Sequence, residues 1–156
     1  MADKVLAKAL GAIGRKERTV AEMREWLEVR EVEPEEIDRV VNFLIENEAL
    51  DDRKFAFAYV SDKRQISGWG RTRIRESLLK RGLRRDLIQE ALAQETRDLD
   101  TDEPLSEVDR ATQVLEERGA DLSDDRGRSR ALGLLARRGY SSEEAYAAIR
   151  RKSSDL

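Results

Sequence analysis

Apolar residues along this chain recur at spacings of three and four, without the strict alternation that marks a half-buried strand. Met23 and Leu27 are four apart, as are Ile74 and Leu78, and Ile37, Val40, Val41 and Leu44 trace one buried helical face. The pattern also repeats. EWLEVREVEPEEIDRVV (25–41), SLLKRGLRRDLIQEAL (77–92) and LLARRGYSSEEAYAAI (134–149) place Leu27, Leu78 and Leu135 in one column and Val32, Leu83 and Tyr140 in a second. Ile37, Ile88 and Ala145 form a third column, and the pairs Val40/Val41, Ala91/Leu92 and Ala148/Ile149 close the register. Successive copies are offset by about 51 and then about 57 residues.

Each copy reads as three short helices, the first of them over 4–15, 52–65 and 106–118. Thr19 with Glu22, and Ser141 with Glu144, have capping-box spacing, and Pro34 suits the first turn of a helix. Gly82, Gly119 and Gly139 stand where helices would end in a left-handed residue. The predicted fold class is all-α: three tandem three-helix repeats at 1–50, 51–97 and 106–156, forming an elongated row of modules, straight or curved. The acidic stretch 98–105, interrupted by Pro104, reads as a linker. A module of roughly 45 residues is near the size at which a lone core becomes marginal, so neighbouring modules are expected to lean on one another. The third copy has Ala131, Ala145 and Ala148 where the second has Ile74, Ile88 and Ala91. Each lost buried methylene costs about 0.8 kcal/mol, which makes the third module the expected weakest.

Composition removes much chemistry. The chain has no cysteine and no histidine, so disulfides, thiolate catalysis, zinc ribbons and imidazole proton shuttles are excluded, and neither metal nor cofactor is expected. Nowhere do 18 apolar residues follow one another, and the amphipathic start lacks the apolar run of a signal peptide, so a cytoplasmic protein with no membrane partner is expected. The adjacent acids Asp51 and Asp52 do not make an acid–base pair by proximity in sequence. Capping of the following helix explains them more simply, and no enzyme is predicted.

Charge is banded. A net −3 speaks against attraction of the whole molecule to a polyanion. Yet residues 63–85 hold nine cations against one acid, and 126–152 hold eight against two. Residues 17–52 hold four cations against thirteen acids, and 86–125 three against fourteen. On a helix over 71–81 whose buried side is Ile74 and Leu78, Arg73 and Lys80 face outward while Arg71 and Arg75 flank the apolar stripe. Arg71, Arg73, Lys80 and Arg81 recur 57 residues later as Arg128, Arg130, Arg137 and Arg138, whereas the first repeat has Val20, Glu22, Val29 and Arg30 there. Basic charge is therefore not needed to build the module, and a functional basic face on the later two repeats is expected. Trp69, between Gly68 and Gly70, is either a staple packed onto the following helix or an exposed contact for a partner.

The run ALDDRKFAFAYVSDKR (49–64) followed by GWGRTRIRESLLKRGL (68–83) resembles the central signature of the RecX family, regulators of the recombinase RecA. Asp51, Asp52, Phe55, Ala56, Tyr59, Val60, Arg64, Gly68, Ile74, Leu78, Arg81 and Gly82 carry the match. Glu31 departs from it, standing where glycine is expected; a left-handed residue other than glycine costs about 1 to 2 kcal/mol, so that turn is expected to differ.

The resemblance implies a helical three-repeat modulator that binds along the RecA filament on single-stranded DNA and lowers its ATPase, strand-exchange and coprotease activities. The implied contacts to filament or DNA are Lys63, Arg64, Trp69, Arg71, Arg73, Arg75, Lys80, Arg81, Arg84, Arg85, Arg128, Arg130, Arg137 and Arg138. Asp51, Asp52, Phe55, Ala56, Tyr59, Gly68, Leu78 and Gly82 are the structural signature. A monomer making at most weak direct contact with DNA completes this picture. The alternatives are a DNA-binding protein with tandem helix-turn-helix-like modules and a helical protein-interaction scaffold.

Overall fold

The computed structural model describes residues 2–94 and 101–154, with side chains from residue 4 onward. Among the described residues the regular structure is entirely helical: α1 (Ala2–Arg15), α2 (Val20–Val29), α3 (Pro34–Glu46), α4 (Asp52–Gln65), α5 (Arg71–Lys80), α6 (Arg85–Ala93), α7 (Glu107–Glu117), α8 (Asp125–Arg138) and α9 (Ser142–Ser154). These are the three helix triplets expected from the repeat. The first part of the expected acidic linker, 98–100, lies outside the described residues.

Helix starts follow side-chain chemistry. Thr19 and Glu22 form a reciprocal capping box on α2, Ser141 and Glu144 exchange the same pair of bonds before α9, and Pro34 opens α3. Ser106 with Asp109 adds a capping box on α7, and Asp124 caps α8 through the Gly127 amide. Asp51 caps α4 through the Lys54 amide, which frees Asp52 for another task.

The repeat columns are core. Leu27, Leu78 and Leu135 are fully buried, Ile37, Ile88 and Ala145 nearly so, while Val32 packs at the core edge where Leu83 and Tyr140 are buried. The chain divides into two compact units. The first comprises Met1–Ala56 and Leu78–Ile88, and its core joins Ala9 and Ala12 of α1 to Met23, Leu27, Ile37, Val41, Leu44 and Leu50. The second comprises Phe57–Ser77 and Gln89–Leu156, with a core of Ala111, Val114, Leu115, Leu122, Leu135, Tyr140, Ala145 and Ile149. Helices α4, α5 and α6 each contribute residues to both units.

The middle helix of each triplet ends the same way. The amide after the left-handed residue returns to a leucine carbonyl five residues back: Val32 to Leu27 at 3.2 Å, Leu83 to Leu78 at 3.2 Å, and Tyr140 to Leu135 at 3.0 Å. Gly82 and Gly139 have φ of 84° and 98° there, and Glu31 takes φ 60°. The expectation that the Glu31 turn would differ is therefore wrong. The Leu27–Val32 bond and the burial of Leu27 hold the geometry, and the side chain accepts the strain. Replacing Glu31 with glycine removes it, and thermal unfolding of Glu31→Gly should show a gain of about 1 kcal/mol.

A repeated joint and a candidate partner-binding face

The start of α2 and the start of α5 each present an amide that no residue of the same helix can accept. In the first unit the Val20 amide donates to Asp52 Oδ1 at 2.9 Å. In the second unit the Arg71 amide, at the equivalent position of the next triplet, donates to Glu107 Oε2 at 3.0 Å. Asp52 and Glu107 are the first residues of α4 and α7, so each acid also lies at a positive helix end.

The preceding position repeats the same logic. Thr19 Oγ1 donates to the Arg81 carbonyl at 2.7 Å, and the Gly70 amide donates to the Arg138 carbonyl at 2.7 Å. Behind these carbonyls come the left-handed glycines. A Cβ on Gly82 would stand 2.4 Å from the Ala21 Cβ, and one on Gly139 would stand 2.6 Å from the Arg73 amide nitrogen. Gly70 is equally confined, since its Cβ would lie 2.6 Å from the Gly139 carbonyl oxygen. Glycine is thus required twice over at 139, for its φ and for the close backbone approach.

Several arginines belong to this joint. Arg81 makes a two-pronged bond to Glu22, at 3.0 and 2.9 Å, and lies over the Phe55 ring. Burial alone would raise the Glu22 carboxyl, but the bonds from Arg81 and the Thr19 amide outweigh it and hold the group below the ordinary glutamate range. Asp52 shifts the other way, pushed up by burial despite the Val20 amide. Arg138 donates to the Ser67 carbonyl at 2.7 Å, and Tyr140 donates to the Gly68 carbonyl at 2.9 Å. Arg73 donates to the Arg137 carbonyl at 2.9 Å and stacks 3.9 Å from the Trp69 ring centroid.

Trp69 is half-buried, with Lys63 4.6 Å from its ring and Tyr59 packed edge-on. The Tyr59 hydroxyl in turn meets Ser77. Deeper still, Arg64 pairs with Glu107 at 2.6 Å with both side chains at least 93% buried, and Arg110 lies 3.9 Å from the same carboxylate. Two guanidiniums share one carboxylate. Burial and the Arg64 charge lower the Arg110 pKa from its ordinary value, while burial and Glu107 push the Tyr140 phenol up.

The fourteen partner-contact candidates thus fall into distinct environments. Lys63, Arg64, Trp69, Arg73, Arg81 and Arg138 are occupied inside one unit or the other. Arg128 pairs locally with Asp125 and donates to the Leu122 carbonyl, and Arg84 lies 3.6 Å from Asp86 at the surface. Arg71, Arg75, Lys80, Arg85, Arg130 and Arg137 hold exposed side chains with no hydrogen-bond or ion-pair partner among the described residues. The recurrence of Arg81 as Arg138 accordingly reflects the shared joint. Lys80 and Arg137 recur as exposed side chains that no described residue holds.

Arg130 and Arg137 line a groove of about 510 Å³ on the second unit, together with Arg118, Gly119, Gly127, Gly133 and Leu134. Arg118 escaped the sequence reading because it sits in an acidic band, and only the turn after α7 brings it to the start of α8. Asp121 also lines the groove, its carboxyl lowered by bonds from Ser123 and by the Arg130 charge. Among the described residues no helix is long and apolar enough to cross a membrane.

Among the described residues, helix triplets each fastened to the next by a repeated polar joint define a tandem three-helix-module protein. Residues 6–44 match the model for the first three-helix domain of RecX, and residues 51–92 match that for the second. The chain is 37% identical over 147 residues to the regulatory protein RecX of Deinococcus radiodurans, covering 94% of this chain and 67% of that protein. It is 30% identical over 139 residues to its counterpart from Trichlorobacter lovleyi, covering 86% of each. The crystal structure of RecX from Lactobacillus salivarius superposes with a TM-score of 0.76 over 96% of this chain and 95% of that one, at 21% identity. The chain belongs to the RecX family of regulatory proteins.

Two substitutions separate the fastening from the surface. Gly139→Ala meets the Arg73 backbone as well as the left-handed φ and should cost about 3 kcal/mol or more in denaturant unfolding. Gly119→Ala, with φ 61° and nothing within 4 Å of its Cβ, should lose only about 1 to 2 kcal/mol. Removing the shared anion is harsher: Glu107→Ala leaves Arg64 and Arg110 buried without a carboxylate and should lower stability by about 3 to 5 kcal/mol, read by the same titration.

Proposed function

We propose that this chain modulates the RecA recombinase, binding along the RecA filament on single-stranded DNA and lowering its ATPase, strand-exchange and coprotease activities. The observation that carries the reading is the likeness to proteins named RecX over nearly the whole chain. The exposed cations left over after the joints are built, Arg71, Arg75, Lys80, Arg85, Arg130 and Arg137, supply a contact set of the right charge for a filament that includes DNA phosphates. Arg73, Arg81 and Arg138 act one step back by fixing the helix ends that display those cations.

The modules 1–50, 51–97 and 106–156, joined through 98–105, act as linked weak binders on a polymer of repeating sites, so docking of one raises the effective concentration of the next. The chain works as a cytoplasmic monomer without chemistry of its own, its partner carrying the ATPase.

A second reading, direct binding to DNA, draws on the three guanidiniums around the groove beside α8. It requires affinity for bare single-stranded DNA that falls steeply with salt.

Co-sedimentation with RecA filaments, measured together with ATP hydrolysis, tests the first reading. Wild-type chain should pellet with the filament and slow hydrolysis. Reversal of Arg75, Lys80, Arg130 and Arg137 to glutamate should weaken binding by more than about tenfold with helicity unchanged. Unaltered binding removes these cations from the mechanism, and equal binding to DNA alone favours the second reading.

A further inference from the structure

The first unit contains the acidic band, yet it carries a basic trough. Helices α1 and α2 each pack against α3. Between them they leave an open groove of about 740 Å³, lined by Val5, Ala7, Lys8, Gly11, Arg15, Trp26, Leu27, Arg30 and Val32. The depth comes from Ala7 and Gly11, which put at most a methyl group where a long side chain would fill the space. Half-buried Val5, Trp26 and Val32 make the apolar surface, over the fully buried Leu27.

Every charged residue that lines the groove is a cation. Lys8 and Arg15 have no ion-pair partner among the described residues. Arg30 stacks 3.6 Å from the Trp26 ring centroid and donates to the Trp26 carbonyl at 3.1 Å, and Arg18 lies 5.9 Å from the same ring. Composition does not explain this, because residues 17–52 hold thirteen acids and four cations, two of which, Arg18 and Arg30, gather at this indole.

We propose that this groove docks a short acidic peptide segment of a partner protein that also carries bulky apolar side chains. An apolar surface rimmed by cations is complementary to such a segment on both counts. A nucleic-acid backbone would engage Lys8 and Arg15 and leave the half-buried Val5 and Val32 without partners, while a basic segment is repelled at the rim. The groove shares no lining residue with the exposed cations of the later modules and stands whether or not those bind a filament.

The test is fluorescence anisotropy with the full chain and a labelled peptide of about fourteen residues that places leucine and phenylalanine at helical spacing among glutamates. Its dissociation constant is expected at about 10 to 100 µM. A matched peptide with lysine for glutamate, one with serine for the apolar residues, and an oligothymidylate should each bind at least about tenfold more weakly.

Gly11→Leu fills the groove without disturbing the fold, since a Cβ there meets only the Arg15 guanidinium at 3.6 Å. This variant and the Lys8→Glu, Arg15→Glu pair should each lose about tenfold in affinity with unchanged circular dichroism and melting temperature. The proposal is overturned if the acidic apolar peptide binds no more tightly than the comparison ligands. Equal binding to wild-type chain and to the filled-groove variant overturns it as well.

Discussion

The first amides of a helix have no partner within it, and in this protein the middle helices of the first two triplets meet that need from outside. Val20 is half-buried and Arg71 exposed, and for both the amide is taken up by an acid of the following triplet. Asp52 answers Val20 and Glu107 answers Arg71, each from the first position of the helix that opens the next triplet. An unsatisfied buried amide costs about 1 to 3 kcal/mol, and at these part-buried bonds each acid offsets a part of that cost. The carbonyls of Arg81 and Arg138 close the other side of the joint.

From that constraint follows the division of labour among the arginines. A guanidinium carries five donors in a plane, so the same residue type can bridge carbonyls within a joint or project into water. Where a carbonyl or carboxylate stands within reach, as for Arg81, Arg138, Arg73 and Arg64, the side chain is consumed by the fold. Where no such bond forms among the described residues, as for Arg75 and Arg137, the charge remains available. A basic band in the sequence is therefore two populations laid over one another. The Glu107 cluster shows the cost of the first kind, with two buried cations dividing one anion and the Nε atoms of Arg64 and Arg110 without a hydrogen bond among the described residues.

The same division makes sense of a net acidic protein in a family that acts as a regulator. Seven of its 33 acids are taken up at helix starts and in joints: Glu22, Asp51, Asp52, Glu107, Asp109, Asp124 and Glu144. Net charge accordingly says little about what any one face offers a partner. A basic trough can open in the first unit, and a three-arginine groove beside α8, while the total stays at −3.

Much of the architecture was legible in the sequence because helix periodicity, capping boxes and left-handed glycines are local signals. The columns through Leu27, Leu78 and Leu135 mark the core, and Thr19 with Glu22 marks a helix start without reference to anything distant. The Glu31 turn was misjudged because a local propensity was allowed to outweigh the packing of Leu27 and Val32, which tertiary contact decides. What the chain alone could not reveal is which cations are free. Arg73 and Arg130 occupy the same repeat position and both are exposed, yet one is held by Trp69 and a carbonyl 64 residues away and the other has no hydrogen-bond or ion-pair partner among the described residues. Sequence determines the helices because the forces that start and stop them act within a turn. Only the folded chain determines the surface, because a charge is spent or spared by what lies across from it.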